Sequence, residues 1–334
     1  MSFSWPVGKK RNLIALGLCA ALALIIGWDL TTYLSDSQSL PEPPVEDFRT
    51  ARYILPQPPL NEFPIKTVRE AWKEVKPEEL VLGVTIGNES RAYPLDVLND
   101  QPDHKVLNDT LGGRPIAATF CDNCHNGIVY SRDIDGQTLT FAVEGRLWKE
   151  SMVMYDLETN TRWSHMTGVA KTGPLKGETL TPLPSIMTDW QSWRSQHPDG
   201  TIVIMPHARE EFVRSFYANL KEFVLGVADG SKAKSWSLDE LSHTPVLNDD
   251  WNGTPVLVVL DRASVTARLY WRTVGARLLT FQEDKGKLID RETGTSWNLI
   301  TGRAETGPLA GQCLEAVAGA TLSKREAWNV HHPN

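Results

Sequence analysis

Val106-Leu-Asn-Asp-Thr-Leu-Gly-Gly-Arg-Pro115 returns later in the chain as Val246-Leu-Asn-Asp-Asp-Trp-Asn-Gly-Thr-Pro255. The flanks return in the same order. Upstream, Val81-Leu-Gly-Val84 matches Val224-Leu-Gly-Val227, and Leu95-Asp96 matches Leu238-Asp239. Downstream, Leu139-Thr-Phe141 matches Leu279-Thr-Phe281. Asp156-Leu-Glu-Thr159 with Trp163 matches Asp290-Arg-Glu-Thr293 with Trp297. Gly173-Pro-Leu175 matches Gly307-Pro-Leu309, and Trp193 with His197-Pro198 matches Trp328 with His332-Pro333. Order and spacing of this kind mark an internal duplication. The copies run over roughly residues 78–200 and 221–334.

Each copy reads as β. Val81 to Ile86, a Gly-Asn turn and Arg91 to Leu95 form a hairpin pattern. Ile116 to Phe120, Ile128 to Ser131 and Leu139 to Val143 are short β-branched or aromatic runs. Met152 to Tyr155 and Arg162-Trp163 make another hairpin. The shared Asn-Asp and Gly-x-Pro elements are expected to fix a turn. Helix is confined to Val68–Val75, Leu95–Leu98, Thr188–Gln196 and Glu210–Leu220, the third capped by Thr188-Asp189 and stopped by Pro198. The expected fold is mainly β, with few short helices: two tandem related units after an N-terminal membrane helix.

The duplication is also an internal control. Cys121-Asp-Asn-Cys124-His125 falls opposite Asp261, Ser264 and Val265. A unit that folds without the thiols shows that folding does not need them, which points to chemistry in the first copy. Three chemistries are open. Cys-x-x-Cys-His is the attachment motif of haem c, with two thioethers and a histidine ligand. Two thiolates and an imidazole suit zinc or copper. A Cys-x-x-Cys pair can also cycle between dithiol and disulfide, with Cys121 and Cys124 as the catalytic residues. The candidate metal ligands are Cys121, Cys124, His125 and His165. His165 and Met166 stand in Trp163-Ser-His-Met-Thr-Gly168, where the second copy has Leu299 and Ile300. His104 and His207 are weaker candidates. Cys313 faces Thr179 in the alignment and reads as a lone buried thiol. A passive Cys121–Cys124 disulfide in a binding or structural module is the rival from another class.

Arg91-Ala-Tyr-Pro-Leu, Asn-Asp-x-x-x-Gly-x-Pro, Cys-x-x-Cys followed by Gly-Ile-Val-Tyr, Met154-Tyr-Asp156, Trp163-Ser and Gly173-Pro-Leu-x-Gly177 occur together. In this combination the chain resembles the uncharacterised DUF3179 family of prokaryotic exported or membrane-anchored proteins. The likeness covers most of residues 80–200, and the second copy resembles a degenerate version. The resemblance implies no activity. The family pattern has a small residue where His125 stands and a glutamine where His165 stands. A ligand role for either histidine therefore does not follow from the resemblance, and the haem reading is weakened.

Lys9-Lys-Arg11 precedes an apolar run from Leu13 to Trp28 that Leu30 to Leu34 extend toward the ~20 residues of a membrane span. A basic flank before such a run reads as a signal-anchor, with the C-terminal bulk outside the cytoplasm. Residues 1–34 are read as the anchor, inserting through 13–34, and 35–64 as a proline-rich linker. Residues 65–205 form the first unit and 206–334 the second. Localisation in the cytoplasmic membrane permits oxidised thiols on the far side. A net charge of −7 argues against a nucleic-acid partner, which needs a basic face. Twelve tryptophans point to aromatic cores or an aromatic-lined groove.

Overall fold

The computed structural model describes residues 49–50, 56–99, 105–206 and 212–333. The expected anchor, most of the expected linker, His104 and His207 lie outside the described residues. Among the described residues no helix is long and apolar enough to cross a membrane. Residues 56–64, the end of the expected linker, run along the first unit, where Gln57 N–H donates to Val143 O and Asn108 N–H to Leu60 O.

The first unit contains β1 (Leu80–Ile86), β2 (Glu89–Pro94), α1 (Leu95–Leu98), β3 (Val106–Leu111), β4 (Arg114–Cys121), β5 (Asn126–Ser131), β6 (Phe141–Trp148), β7 (Ser151–Asp156), β8 (Arg162–Ser164), β9 (Ala170–Thr172), β10 (Pro182–Leu183), β11 (Ser185–Asp189), α2 (Trp190–Gln196) and β12 (Thr201–Val203). The second repeats it: β13 (Phe223–Asp229), β14 (Lys232–Ser237), α3 (Leu238–His243), β15 (Val246–Trp251), β16 (Thr254–Asp261), β17 (Thr266–Trp271), β18 (Phe281–Asp284), β19 (Lys287–Asp290), β20 (Ser296–Trp297), β21 (Ala304–Thr306), β22 (Thr321–Lys324) and α4 (Arg325–His331). The protein is mainly β with short helices, built from two tandem units.

The first unit has sheets ordered β10-β5-β4-β3 and β6-β7-β8-β9, and a third in which β11-β1-β2-β12 continues to an edge strand, Ile65–Thr67. The second unit has β14-β13-β22, β15-β16-β17 and β18-β19-β20-β21. Register is repeated too: Val106 faces Thr119 and Val246 faces Val259. The connecting turns carry positive φ at Gly112 and Gly113, and at Asn252 and Gly253. That is the two-residue hairpin turn these residue types favour.

The shared Asn-Asp pair does not make that turn. It lies inside β3 and β15, and its side chains reach sideways. Asn108 donates to Phe141 O and accepts from Phe141 N–H, both at 2.8 Å. Asn248 does the same with Phe281, at 2.7 and 2.8 Å. Asp109 accepts from Arg91 and from Tyr93 Oη, while Asp249 accepts from Lys234 and Trp236 Nε1. The repeat is therefore kept by clamps between sheets, since each polar group buried by strand packing needs a partner. Asp156 and Asp290 are a second repeated clamp. Each accepts a tryptophan Nε1–H, from Trp163 at 2.8 Å and Trp297 at 2.9 Å. Each also caps the following turn through a threonine N–H.

A third repeated device explains Val-Leu-Gly-Val. A Cβ built on Gly83 would lie 2.1 Å from Trp193 Cζ3, and one on Gly226 would lie 2.3 Å from Trp328 Cζ3. Only glycine leaves room for the indole that α2 or α4 lays on its strand.

The expected helices are trimmed. The first ends at Ala71, and α2 begins at Trp190 with Asp189 as its cap, accepting from Ser192 N–H at 2.7 Å. Leu95–Leu98 is as expected. In place of a helix over Glu210–Leu220 there are two 3-10 turns, Arg214–Tyr217 and Leu220–Glu222. Phe212, Phe216, Tyr217 and Phe223 close around the ring of His125, and that packing overrides helical spacing.

The units cross-pack in pseudo-twofold fashion. Thr188 of β11 meets Thr266 of β17, with the hydroxyls 2.7 Å apart. Reciprocally, Asn126 of β5 donates to Leu322 O of β22 at 3.1 Å. One core is shared, running from Leu82, Phe120 and Val129 to Val258, Leu269 and Leu322.

Candidate functional site

Strand β4 alternates between two faces, as strands do. Ile116, Ala118 and Phe120 face the shared core. Ala117 and Cys121 face the first unit's own core, with Cys124, Met152, Met154 and Met166. The hairpin turn that follows carries Cys124, and it closes with His125 at φ 47°. In the second unit Val265 has φ 53° at the same point, although a β-branched side chain is strained there. The turn geometry thus belongs to the fold, and the thiols are an addition to it.

The sulfurs of Cys121 and Cys124 lie 3.2 Å apart as free thiols, and both side chains are buried. Cys124 and Met152 pack with Cys121 in one buried cluster, and their backbone N–H groups favour its thiolate. In the free dithiol the Cys121 S–H donates to Cys124 Sγ, and the Cys124 S–H points to Glu150 O at 3.5 Å. Once Cys121 is ionised, the Cys124 S–H donates to its thiolate. Burial pushes the Cys121 thiol up, and Asp122 adds to this. The donors from Cys124 and Met152 outweigh both, so its pKa falls below the ordinary value. Cys124, which keeps its proton to hydrogen-bond the Cys121 thiolate and is itself desolvated, is held well above. The Ser151 hydroxyl sits beside Cys124 and opposes this rise. One thiol is thus the acidic member and its neighbour the proton donor.

The sibling turn carries oxygen at the two sulfur positions. Ser264 donates through N–H at 3.2 Å and through its hydroxyl at 2.5 Å to the Asp261 carboxylate. A carboxylate there takes the place of a thiol.

His165 stands on the sulfur side of the sheet. Its Nε2 meets Thr119 Oγ1 at 2.9 Å, and Thr119 shares a face of β4 with Cys121. Its N–H donates to Met152 O at 3.1 Å, and Met152 packs in the cluster that holds Cys121. Burial lowers its pKa to about 3, so the ring is neutral. His125 is on the other side. Its ring stacks on Phe216 with centroids 4.2 Å apart, and Nε2 meets Tyr217 Oη at 2.8 Å. Burial takes its pKa to about 3 as well. The structure thus brings Cys121, Cys124 and His165 to one side and leaves His125 across the sheet. Thioether attachment with His125 as iron ligand would need all three groups on one side. Among the described residues no three His, Cys, Asp or Glu side chains are arranged to hold a metal ion. The Nδ1 atoms of His125 and His165 are buried without a hydrogen-bond partner among the described residues.

Some residues at the site were not anticipated. Lys105 is buried, and its Nζ donates to Asn99 Oδ1 at 2.7 Å and Asp122 Oδ1 at 2.9 Å. It offsets the Asp122 charge beside the thiols. The sequence held a signal, because the second copy has Pro245 at that position. The second unit also closes over the turn. Lys324 N–H donates to Cys124 O at 2.8 Å, and Ser323 Oγ does so at 3.3 Å. No local pattern marks those two residues. Cys313, expected to be buried, is exposed.

No curated protein and no solved structure matches the chain. The family model for DUF3179, described as a protein of unknown function, matches twice, over residues 57–219 and 217–334. The two matches coincide with the duplicated units and span most of the sequence, and the chain therefore belongs to the DUF3179 family.

Proposed function

We propose that this is a membrane-anchored extracytoplasmic protein in which Cys121 and Cys124 form a reversible dithiol–disulfide couple. The observation that carries this reading is the pair of free, buried thiols in contact at 3.2 Å, in surroundings that lower the pKa of Cys121 and raise that of Cys124. A thiolate held in that way is the nucleophile of thiol–disulfide exchange. The Cys121 thiolate attacks an external disulfide and releases one thiolate from it. Cys124, having lost its proton, then displaces the second. Two electrons pass to the external disulfide, which leaves as two thiols. Both sulfurs are buried, so exchange requires the turn to part from β22. The basic flank Lys9–Arg11 and the apolar run Leu13–Trp28 support the anchor and its orientation.

The test is mass spectrometry of the full chain with Cys19→Ser and Cys313→Ser, incubated with oxidised and then reduced glutathione. The expected result is loss and regain of two hydrogens. A pair that stays oxidised throughout is a passive staple. A pair protected by a stoichiometric zinc or copper ion is a metal site.

A further inference from the structure

Beside Trp328 and His332 of the second unit, a cleft of about 910 Å³ opens between the units, with Ile128, Met166 and Thr167 on the facing wall. Pseudo-symmetry produces a second cleft from the matching residues: Trp193, His197, Arg268, Ile300 and Thr301. That one holds only about 200 Å³. Ile128 aligns with Arg268, and the arginine fills the sibling. Its Nε donates to Ile300 O and its Nη1 to Ser185 O, each at 3.2 Å, and its guanidinium carbon lies 5.5 Å from the Tyr270 ring centre. The repeat therefore displays an occupant. A cradle made of one tyrosine ring and main-chain carbonyls takes a guanidinium.

The open cleft keeps the tyrosine. Tyr130, the match of Tyr270, lines it, and its hydroxyl is tied to His165 O at 2.7 Å. Met166 matches Ile300. Trp251, Trp271 and Trp328 add aromatic faces, and the carboxylates of Asp229 and Glu315 stand at exposed positions. Among the described residues lining it there is no lysine or arginine. Aromatic faces and carboxylates without a resident cation favour a positively charged guest. The volume suits a small molecule.

We propose that this cleft binds a small organic cation, a guanidinium or ammonium group on an apolar stem, with its head where Arg268 lies in the sibling. The site is separate from the thiol pair and does not depend on its redox reading.

The probes are butylguanidinium and its neutral isostere butylurea, titrated against the full chain by calorimetry and tryptophan fluorescence. Butylguanidinium is expected to saturate one site and to bind at least tenfold more tightly than butylurea, with added salt weakening it. Ile128→Arg, which supplies the sibling's plug, should lower affinity at least tenfold while the circular dichroism spectrum is retained. Arg268→Ile, which empties the sibling cradle, should open a second butylguanidinium site, weaker than the first because no carboxylate lines that cleft among the described residues. If Ile128→Arg does not fold, the absence of that second site overturns the proposal. Equal affinities for the two probes, no saturable binding of butylguanidinium, or unchanged binding in folded Ile128→Arg would overturn the proposal.

Discussion

Gly83→Ala is expected to destabilise the protein through a single contact. The new Cβ would lie 2.1, 2.3 and 2.6 Å from Cζ3, Cε3 and Cη2 of Trp193. Carbon atoms in contact prefer about 3.5–4.0 Å, so the indole must retreat by about 1.4–1.9 Å. Trp193 is 3% exposed and belongs to a core with Val81, Ile186 and Trp190, so the ring can retreat only if α2 moves with it. Overpacking of this kind costs about 1–3 kcal/mol. Alanine's smaller loss of chain entropy offsets about 0.5–1 kcal/mol. The net is about 0.5–2 kcal/mol when like ends of the two ranges are paired, and at roughly 2–4 °C per kcal/mol the midpoint should fall by about 1–8 °C. The assay is thermal unfolding, with Trp193→Leu as a second background. There the Cβ has space, and Gly83→Ala should be neutral within about 0.5 kcal/mol. An equal effect in both backgrounds, or none in the wild type, would show that the glycine is not there for the indole.

Three other perturbations follow from the structure. Burial holds His125 near pKa 3, below the unfolded value near 6.5, so acidification protonates the unfolded chain first. The stability it confers is complete above pH 6.5 and is lost between 6.5 and about 3, by at most about 1.4 kcal/mol per pH unit; the drop in urea midpoint from pH 7.5 to 5.0 should be smaller in His125→Asn, the rest being kept by other depressed histidines such as His165. Asp156→Ala strips the buried Trp163 Nε1–H of its acceptor and should cost about 2–5 kcal/mol by urea unfolding, with Asp290→Ala similar in the second unit. Cys313 is exposed, while Cys121 and Cys124 are buried; in a Cys19→Ser chain an alkylating reagent should label Cys313 rapidly and the native pair far more slowly, at a rate set by the parting of the turn from β22.

The sequence carried the duplication because its repeated residues are clamps whose partners recur with them. The asymmetry between copies also singled out Cys121, Cys124 and His165, all of which the structure places on one side of a sheet. The Asn-Asp pair was misread because its role depends on Phe141 and Phe281, and no local turn chemistry reports that. Side-chain direction misled for His125. Adjacent to Cys124 in sequence, it is carried by a left-handed turn residue across the sheet into aromatic packing from residues 212–223. The cover over the thiols and the open cleft arise from contacts between units, such as Lys324 with Cys124, which only three-dimensional pairing creates.

The reversible couple is tested most directly by the reduction potential of Cys121–Cys124, measured in glutathione buffers on a chain lacking Cys19 and Cys313. The account predicts one two-electron transition between about −120 and −270 mV, the range of working exchange pairs. A disulfide that persists below about −300 mV, as structural disulfides do, or thiols that never oxidise, would contradict it.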